Sequence, residues 1–219
     1  MLNNQILQNG YPVLHLYDKV SLALSLMEDF DIQHLPVIDN ETYVGLISKA
    51  DLLDADDNVT VATLQDLLVN VLVKADSFFL TSLSLIQEHH LSLITVLSEK
   101  GEVLGIINQE DLIGAIYNFI GGDEQGGIVV LEIDKRHYSF GEICRLVETN
   151  DAMIMQLNTS FQKDTGKVLA TIKINKTEIS DIIATFQRYD YDVKYYFGEE
   201  HFNNELKDNY HHLMNYLNI

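Results

Sequence analysis

Hydrophobic positions change period in the same order twice along the first half of the chain. Apolar residues fall at helical spacing over 21–29, SLALSLMED, and again over 79–89. Each stretch leads into a short apolar run, 35–38 and 93–97, with the unbroken patterning of a buried strand. Turn residues come next, Asp39 and Asn40 in one copy and Lys100 and Gly101 in the other, and a second strand is predicted over 43–47 and 102–107. A helix is then expected to begin at Ser48 and, sixty positions on, at Asn108. The strand-to-helix junctions read GLISKADLLD (45–54) and GIINQEDLIG (105–114), with Asp51 and Asp111 at matching places. Two units this small should pack on one another as a pseudo-symmetric pair, with 54–68 as the connector.

The pattern breaks at IGGDEQGG, 120–127, where glycine and acidic residues mark a domain boundary. Beyond it the chain alternates as strand (128–133), helix (139–150), strand (153–162), strand (167–174), helix (176–189) and strand (191–197). This βαββαβ order is ferredoxin-like, with two helices on one face of an antiparallel sheet. In the last segment Phe202, Leu206, Tyr210, Leu213 and Leu217 form a helical stripe. The expected fold class is α/β (α+β). Its organisation is a first repeat over 1–60, a second over 61–122, a Gly-rich linker over 123–127, a ferredoxin-like domain over 128–198 and a C-terminal helix over 199–219.

Charge narrows the functional classes. The net charge is −19, and residues 1–122 hold Lys19, Lys49, Lys74 and Lys100 as their only lysines, with no arginine. Nucleic acids and anionic membranes require clustered cations, so neither is an expected partner. The single cysteine, Cys144, excludes an intramolecular disulfide and a multi-cysteine metal site. No apolar run approaches the length of a membrane span, and a cytoplasmic location is the expectation. A GxSxG turn, a P-loop, GxGxxG and HExxH are all absent from the sequence, so no catalytic centre is expected.

The junctions themselves suggest a chemistry. Ser48 and Asn108 stand where helix N-caps belong, and Asp51 and Asp111 occupy the N3 position. That arrangement caps a helix, and it can also hold a ribose, because a fixed carboxylate accepts from two vicinal hydroxyls while apolar strands make a slot for a planar base.

The order helix, HLPVID, turn, GLISKAD resembles a cystathionine beta-synthase (CBS) domain, and the second copy resembles its partner in a CBS pair, over about residues 8–119. The resemblance implies an adenosine-containing ligand (AMP, ADP, ATP or S-adenosylmethionine, with Mg2+ as an accompanying cation) in the cleft between repeats. It assigns Ser48 and Asp51 to the ribose, Pro36 to the base and His34 to the phosphates, with Asn108 and Asp111 at the second site. The second copy departs from the pattern: Asn108 replaces Ser or Thr, Thr95 replaces the proline and Leu93 replaces the polar residue. Residues 128–197 resemble an ACT domain in element order; Asp134 is kept in the loop after the first strand, while Arg136, His137 and Tyr138 stand where Pro and Gly belong. Together the resemblances imply a non-catalytic regulatory homodimer acting on a partner protein yet to be identified. A ligand-free structural oligomerisation module, and an amino acid sensor acting through 128–197, remain as alternatives.

Overall fold

A computed structural model describes residues 1–198, so the helical stripe expected over 199–219 lies outside the described residues. The chain divides after Gly122 into two units.

In the first unit each repeat contributes a three-stranded sheet and two helices. The first repeat runs β1 (Leu14–His15), α1 (Val20–Asp29), β2 (His34–Asp39), β3 (Thr42–Ser48) and α2 (Lys49–Leu53). The second runs β4 (Leu72–Lys74), α3 (Leu80–His89), β5 (Leu93–Leu97), β6 (Val103–Asn108) and α4 (Gln109–Phe119). Both sheets have a parallel first pair and an antiparallel second pair, β1-β2-β3 and β4-β5-β6. The register also repeats: Val37 faces Gly45 and Val96 faces Gly105, and a bulge adjoins each pair. Tyr43 and Val103 therefore occupy equivalent positions, as do Pro36 and Thr95.

The buried face of α1 is Val20, Ala23 and Met27, the spacing that turns one stripe toward the sheet. With Leu14, Leu35, Val37, Ile47, Leu52 and Val61 they form the first core. The second core gathers Phe79, Ile86, Leu93, Ile94, Val96, Ile107 and Leu112, and it also takes in Tyr43 and Leu46 from the first repeat. Each such fully enclosed aliphatic side chain contributes about 2 kcal/mol by leaving water.

An exchange of segments ties the repeats together. Gln8 and Ile106 exchange both backbone hydrogen bonds, at 2.8 and 3.1 Å, and Leu46 and Val69 do the same at 2.9 Å each. The segment before the first repeat thus pairs with the second, and the connector pairs with the first. Gly45 and Gly105 permit these approaches: a Cβ on Gly105 would stand 2.2 Å from the Gln8 carbonyl oxygen, and one on Gly45 would stand 2.9 Å from Leu68 Cβ. Asn3, fully buried, locks the N-terminal segment by donating to the Lys74 carbonyl at 2.9 Å and accepting from the Ser82 hydroxyl at 2.8 Å.

The second unit holds β7 (Gly127–Asp134), α5 (Phe140–Glu148), β8 (Ile154–Phe161), β9 (Lys167–Ile174), α6 (Ser180–Arg188) and β10 (Asp192–Phe197). Its sheet order is β10-β7-β9-β8 with every neighbouring pair antiparallel. Alternate residues Val129, Leu131 and Ile133 of β7 are buried with Ile143, Leu146 and Val147 of α5 and Ile182, Ile183 and Phe186 of α6. The helix expected from 176 begins only at Ser180. Its would-be first turn is spent otherwise, because the Lys176 carbonyl accepts from the Gly127 amide at 2.6 Å.

Candidate functional site

At the first junction Ser48 leaves β3 in extended geometry, and its Oγ accepts from the Asp51 amide at 3.1 Å. The same hydroxyl donates to Asp51 Oδ2. The helix it caps is only five residues long. So short a helix aligns few peptide dipoles at the junction.

His34 lies opposite Ser48 on β2. Its Nδ1 accepts from the Ser92 amide at 3.2 Å and sits 2.9 Å from the Ser92 hydroxyl, a contact from one repeat to the other. Burial holds its pKa below the usual histidine range, against the opposing pull of Asp51. Burial thus favours the neutral ring over the charged one. Pro36 is buried opposite Leu46.

At the second junction the caps are reciprocal. Asn108 Oδ1 accepts from the Asp111 amide at 2.8 Å, and Asp111 Oδ2 accepts from the Asn108 amide at 3.1 Å. Asp111 Oδ1 accepts from Gln8 Nε2 at 2.8 Å. Both carboxylate oxygens are thus engaged, one by the exchanged N-terminal segment. Asp111 also borders an open groove with Met1, Gln5, Ile6 and Gly114.

A pocket that combines apolar walls with a polar rim lies toward the hairpin-tip end of β6, away from the junction at its other end. It encloses about 420 Å3 between Gly10, Tyr11 and Val13, the tip of the first hairpin at Ile38 and Glu41, and residues Glu102 to Ile106 leading along β6. None of the six residues expected from the sequence lines it. The Asp111 charge nevertheless reaches the Tyr11 phenol, whose pKa burial and that carboxylate both raise.

The equivalent place in the first repeat is filled. Where β6 has Val103, β3 has Tyr43, 8% exposed, whose hydroxyl donates to the Val71 carbonyl at 2.8 Å. Burial pushes its pKa up to about 12. The Thr95 hydroxyl, enclosed beside that phenol, offsets part of the shift without completing a hydrogen bond of good geometry among the described residues. The contrast between Tyr43 and Val103 is present in the sequence, but it acquires meaning only once the register aligns the two positions.

Residues 5–58 and 69–118 each match the family profile described as CBS domain. The first unit carries a CBS domain pair. Among solved structures, a CBS domain pair/ACT domain protein from Thermotoga maritima is similar at 20% identity, over 54% of this chain and 98% of its own, with a TM-score of 0.50. CBSX2, crystallised in complex with AMP, is 22% identical over 54% of this chain and 97% of its own, with a TM-score of 0.46. The CBS domains of a transcriptional regulator from Streptococcus pneumoniae are 17% identical over 52% of this chain and 98% of their own, with a TM-score of 0.47. What the CBS pair shares with the first of these is its fold.

In the second unit, the loop after β7 closes on itself: Asp134 Oδ1 accepts from the Arg136 amide at 2.9 Å. The nearby pocket of about 220 Å3 is bordered by Glu132, Asp134, Glu142, Asp190 and Asp192. Lys167 and Lys194 pair with Glu132, Arg145 lies beside Glu142, and His137 completes the lining. Among the described residues no group of three His, Cys, Asp or Glu converges as metal ligands, and no helix is long and apolar enough to cross a membrane.

Proposed function

We propose that this chain is a non-catalytic regulatory protein whose CBS pair takes one adenosine-containing ligand, in the cleft bordered by Gly10, Tyr11, Val13 and the Gly105–Ile106 strand. The observation that carries the reading is the asymmetry of the two clefts: one is plugged by Tyr43, and the other is an open pocket of about 420 Å3. Such a volume, apolar on its walls and polar at its rim, suits a planar base and a sugar. Asp111 and Asn108 stand outside the lining of this cleft and cap α4, and the Asp111 charge reaches it only at the Tyr11 phenol. Ser48, Asp51, Pro36 and His34 then serve the architecture of the first repeat. Ligand bound between the repeats favours one arrangement of the pair over another, and a homodimer passes that bias to a partner protein. The second unit, ACT-like in its strand order, is the other half of this regulatory assembly.

Titration calorimetry with adenosine, AMP, ATP and S-adenosylmethionine, with and without Mg2+, tests this. One site per chain is expected. Val103→Tyr, which copies the plug of the first cleft, should abolish binding without lowering the melting temperature, and Asp51→Ala should leave binding intact. Silence from every ligand would leave the second reading, a structural pairing module. The Gln8–Asp111 hydrogen bond favours that reading, because it already satisfies the carboxylate a ribose would need.

A further inference from the structure

Both helices of the second unit pack on one face of its sheet, the face of Val129, Leu131 and Ile133. Strand alternation turns the intervening side chains to the other face. There the register sets Phe197 beside Ile128, Tyr195 beside Val130, and Leu169 of β9 beside Glu132. Phe197 is 48% exposed and Tyr195 61%, while Ile128, Val130 and Leu169 are partly buried. This apolar strip has a charged end, where Glu132 accepts from Lys167 and, at 3.3 Å, pairs with Lys194. Its other end is where β10 stops, and there Lys173 lies opposite Ile128.

The chain leaves the sheet at that second end. A Cβ on Gly198 would stand 2.3 Å from the Thr177 carbonyl oxygen and 3.2 Å from the Ile179 side chain, so the helix side of the exit is crowded. Residues 199–219 follow, with Phe202, Leu206, Tyr210, Leu213 and Leu217 at helical spacing. As a helix that stripe would run about 22 Å, and the eight residues of β7 span about 26 Å. The opening of the segment, EEHFNNELKD, holds four acids against one lysine, the sign that suits Lys173. A helix of this length is marginal in water unless its apolar face is covered.

We propose that residues 199–219 dock as an amphipathic helix along the open face of their own sheet, with the stripe on Phe197, Ile128, Tyr195 and Val130 and the acidic first turns beside Lys173. The helix turns the second unit from two layers into three. It also takes up apolar surface that a second copy or a partner protein would otherwise reach.

Amide hydrogen exchange and side-chain oxidative footprinting of the full chain test the docking together. In the wild type the amides of 202–217 should exchange roughly tenfold or more slowly than in a free peptide of the same sequence, and dilution should leave that protection unchanged. The double variant Leu206→Asp/Leu213→Asp should remove it and raise the oxidation of Tyr195 and Phe197, while α5 and α6 stay protected. The reciprocal change Val130→Asp should release 202–217 in the same way, and the tail variant, which leaves the sheet intact, decides the matter if that strand variant fails to fold. Oxidation of Tyr195 and Phe197 that the tail variant does not move would mean that the segment packs elsewhere, and it overturns the docking. Exchange of 202–217 at the free-peptide rate in the wild type overturns the helix itself. Protection that fades on dilution makes the occupant a second copy and overturns the intramolecular cover.

Discussion

The two repeats of the CBS pair share a backbone and differ in what fills it. Their sheets have the same strand order, the same register and a bulge at the same place. In the first, Tyr43 closes the cleft with a hydrogen bond to the Val71 carbonyl. In the second, Val103 leaves it open, and the exchanged N-terminal segment brings Gln8 onto Asp111. Duplication therefore preserves a scaffold without preserving a site. A single side chain at one register position is enough to turn a cleft into core.

The comparison can be broken most severely at the glycines. Gly105→Ala sets a methyl 2.2 Å from the Gln8 carbonyl oxygen, a backbone atom held on both sides. It should cost about 3 kcal/mol and expel the N-terminal segment from β6, seen as a lowered urea midpoint and new amide exchange at Gln8 and Ile106. Gly45→Ala, whose nearest neighbour at 2.9 Å is a side-chain carbon, should cost about half as much. Tyr43→Val gives the first repeat the residue of the second. The lost burial should destabilise by about 2 kcal/mol in chemical denaturation, and a second binding site per chain should become measurable.

The two aspartates rank below these. Asp111→Ala removes the acceptor for Asn108 and Gln8 and should cost about 1.5 kcal/mol, whereas Asp51→Ala, at a five-residue helix, should cost about 0.5 kcal/mol. Equal losses in thermal denaturation would show that the second junction gains nothing from its additional partner. Thr95→Val works in the other direction. Removing a buried hydroxyl that lacks a well-formed hydrogen bond should stabilise the pair by about 1 kcal/mol in the same assay.

The smallest effect is that of pH at His34. Its folded pKa lies below the ordinary value because of burial, so the unfolded chain binds the proton more readily. The stability it contributes is complete above about pH 6.5 and is lost as pH falls through the lower folded value. Protonation also cancels the acceptor that the Ser92 amide uses. Between pH 7.5 and 5.5 the melting temperature should therefore fall further for the wild type than for His34→Gln.

Local features of the sequence locate the elements well. Ser48 and Asn108 cap the helices that their positions predict, because an N-cap depends on residues within three positions of itself. The hairpins are legible in apolar runs separated by turn residues, for the same reason. The late start of α6 escapes the pattern, since the Gly127–Lys176 bond that consumes its first turn joins residues far apart in sequence. So does the role of His34. The CBS resemblance assigns it to the phosphates, and the structure adds a contact from its Nδ1 to Ser92, 58 residues away.

The sequence by itself determined the repeat, the order of helices and strands, and the acidity that deprives the pair of cationic anchors. These are properties of composition and of short-range periodicity, which do not depend on what lies across the fold. Only the tertiary structure decided which cleft is open. That choice rests on Tyr43 meeting Val71 in one repeat and on the smaller Val103 at the matching position of the other. The Tyr43–Val71 contact joins segments that the chain separates widely, and it accompanies the pairing of the connector with the first repeat through Leu46 and Val69.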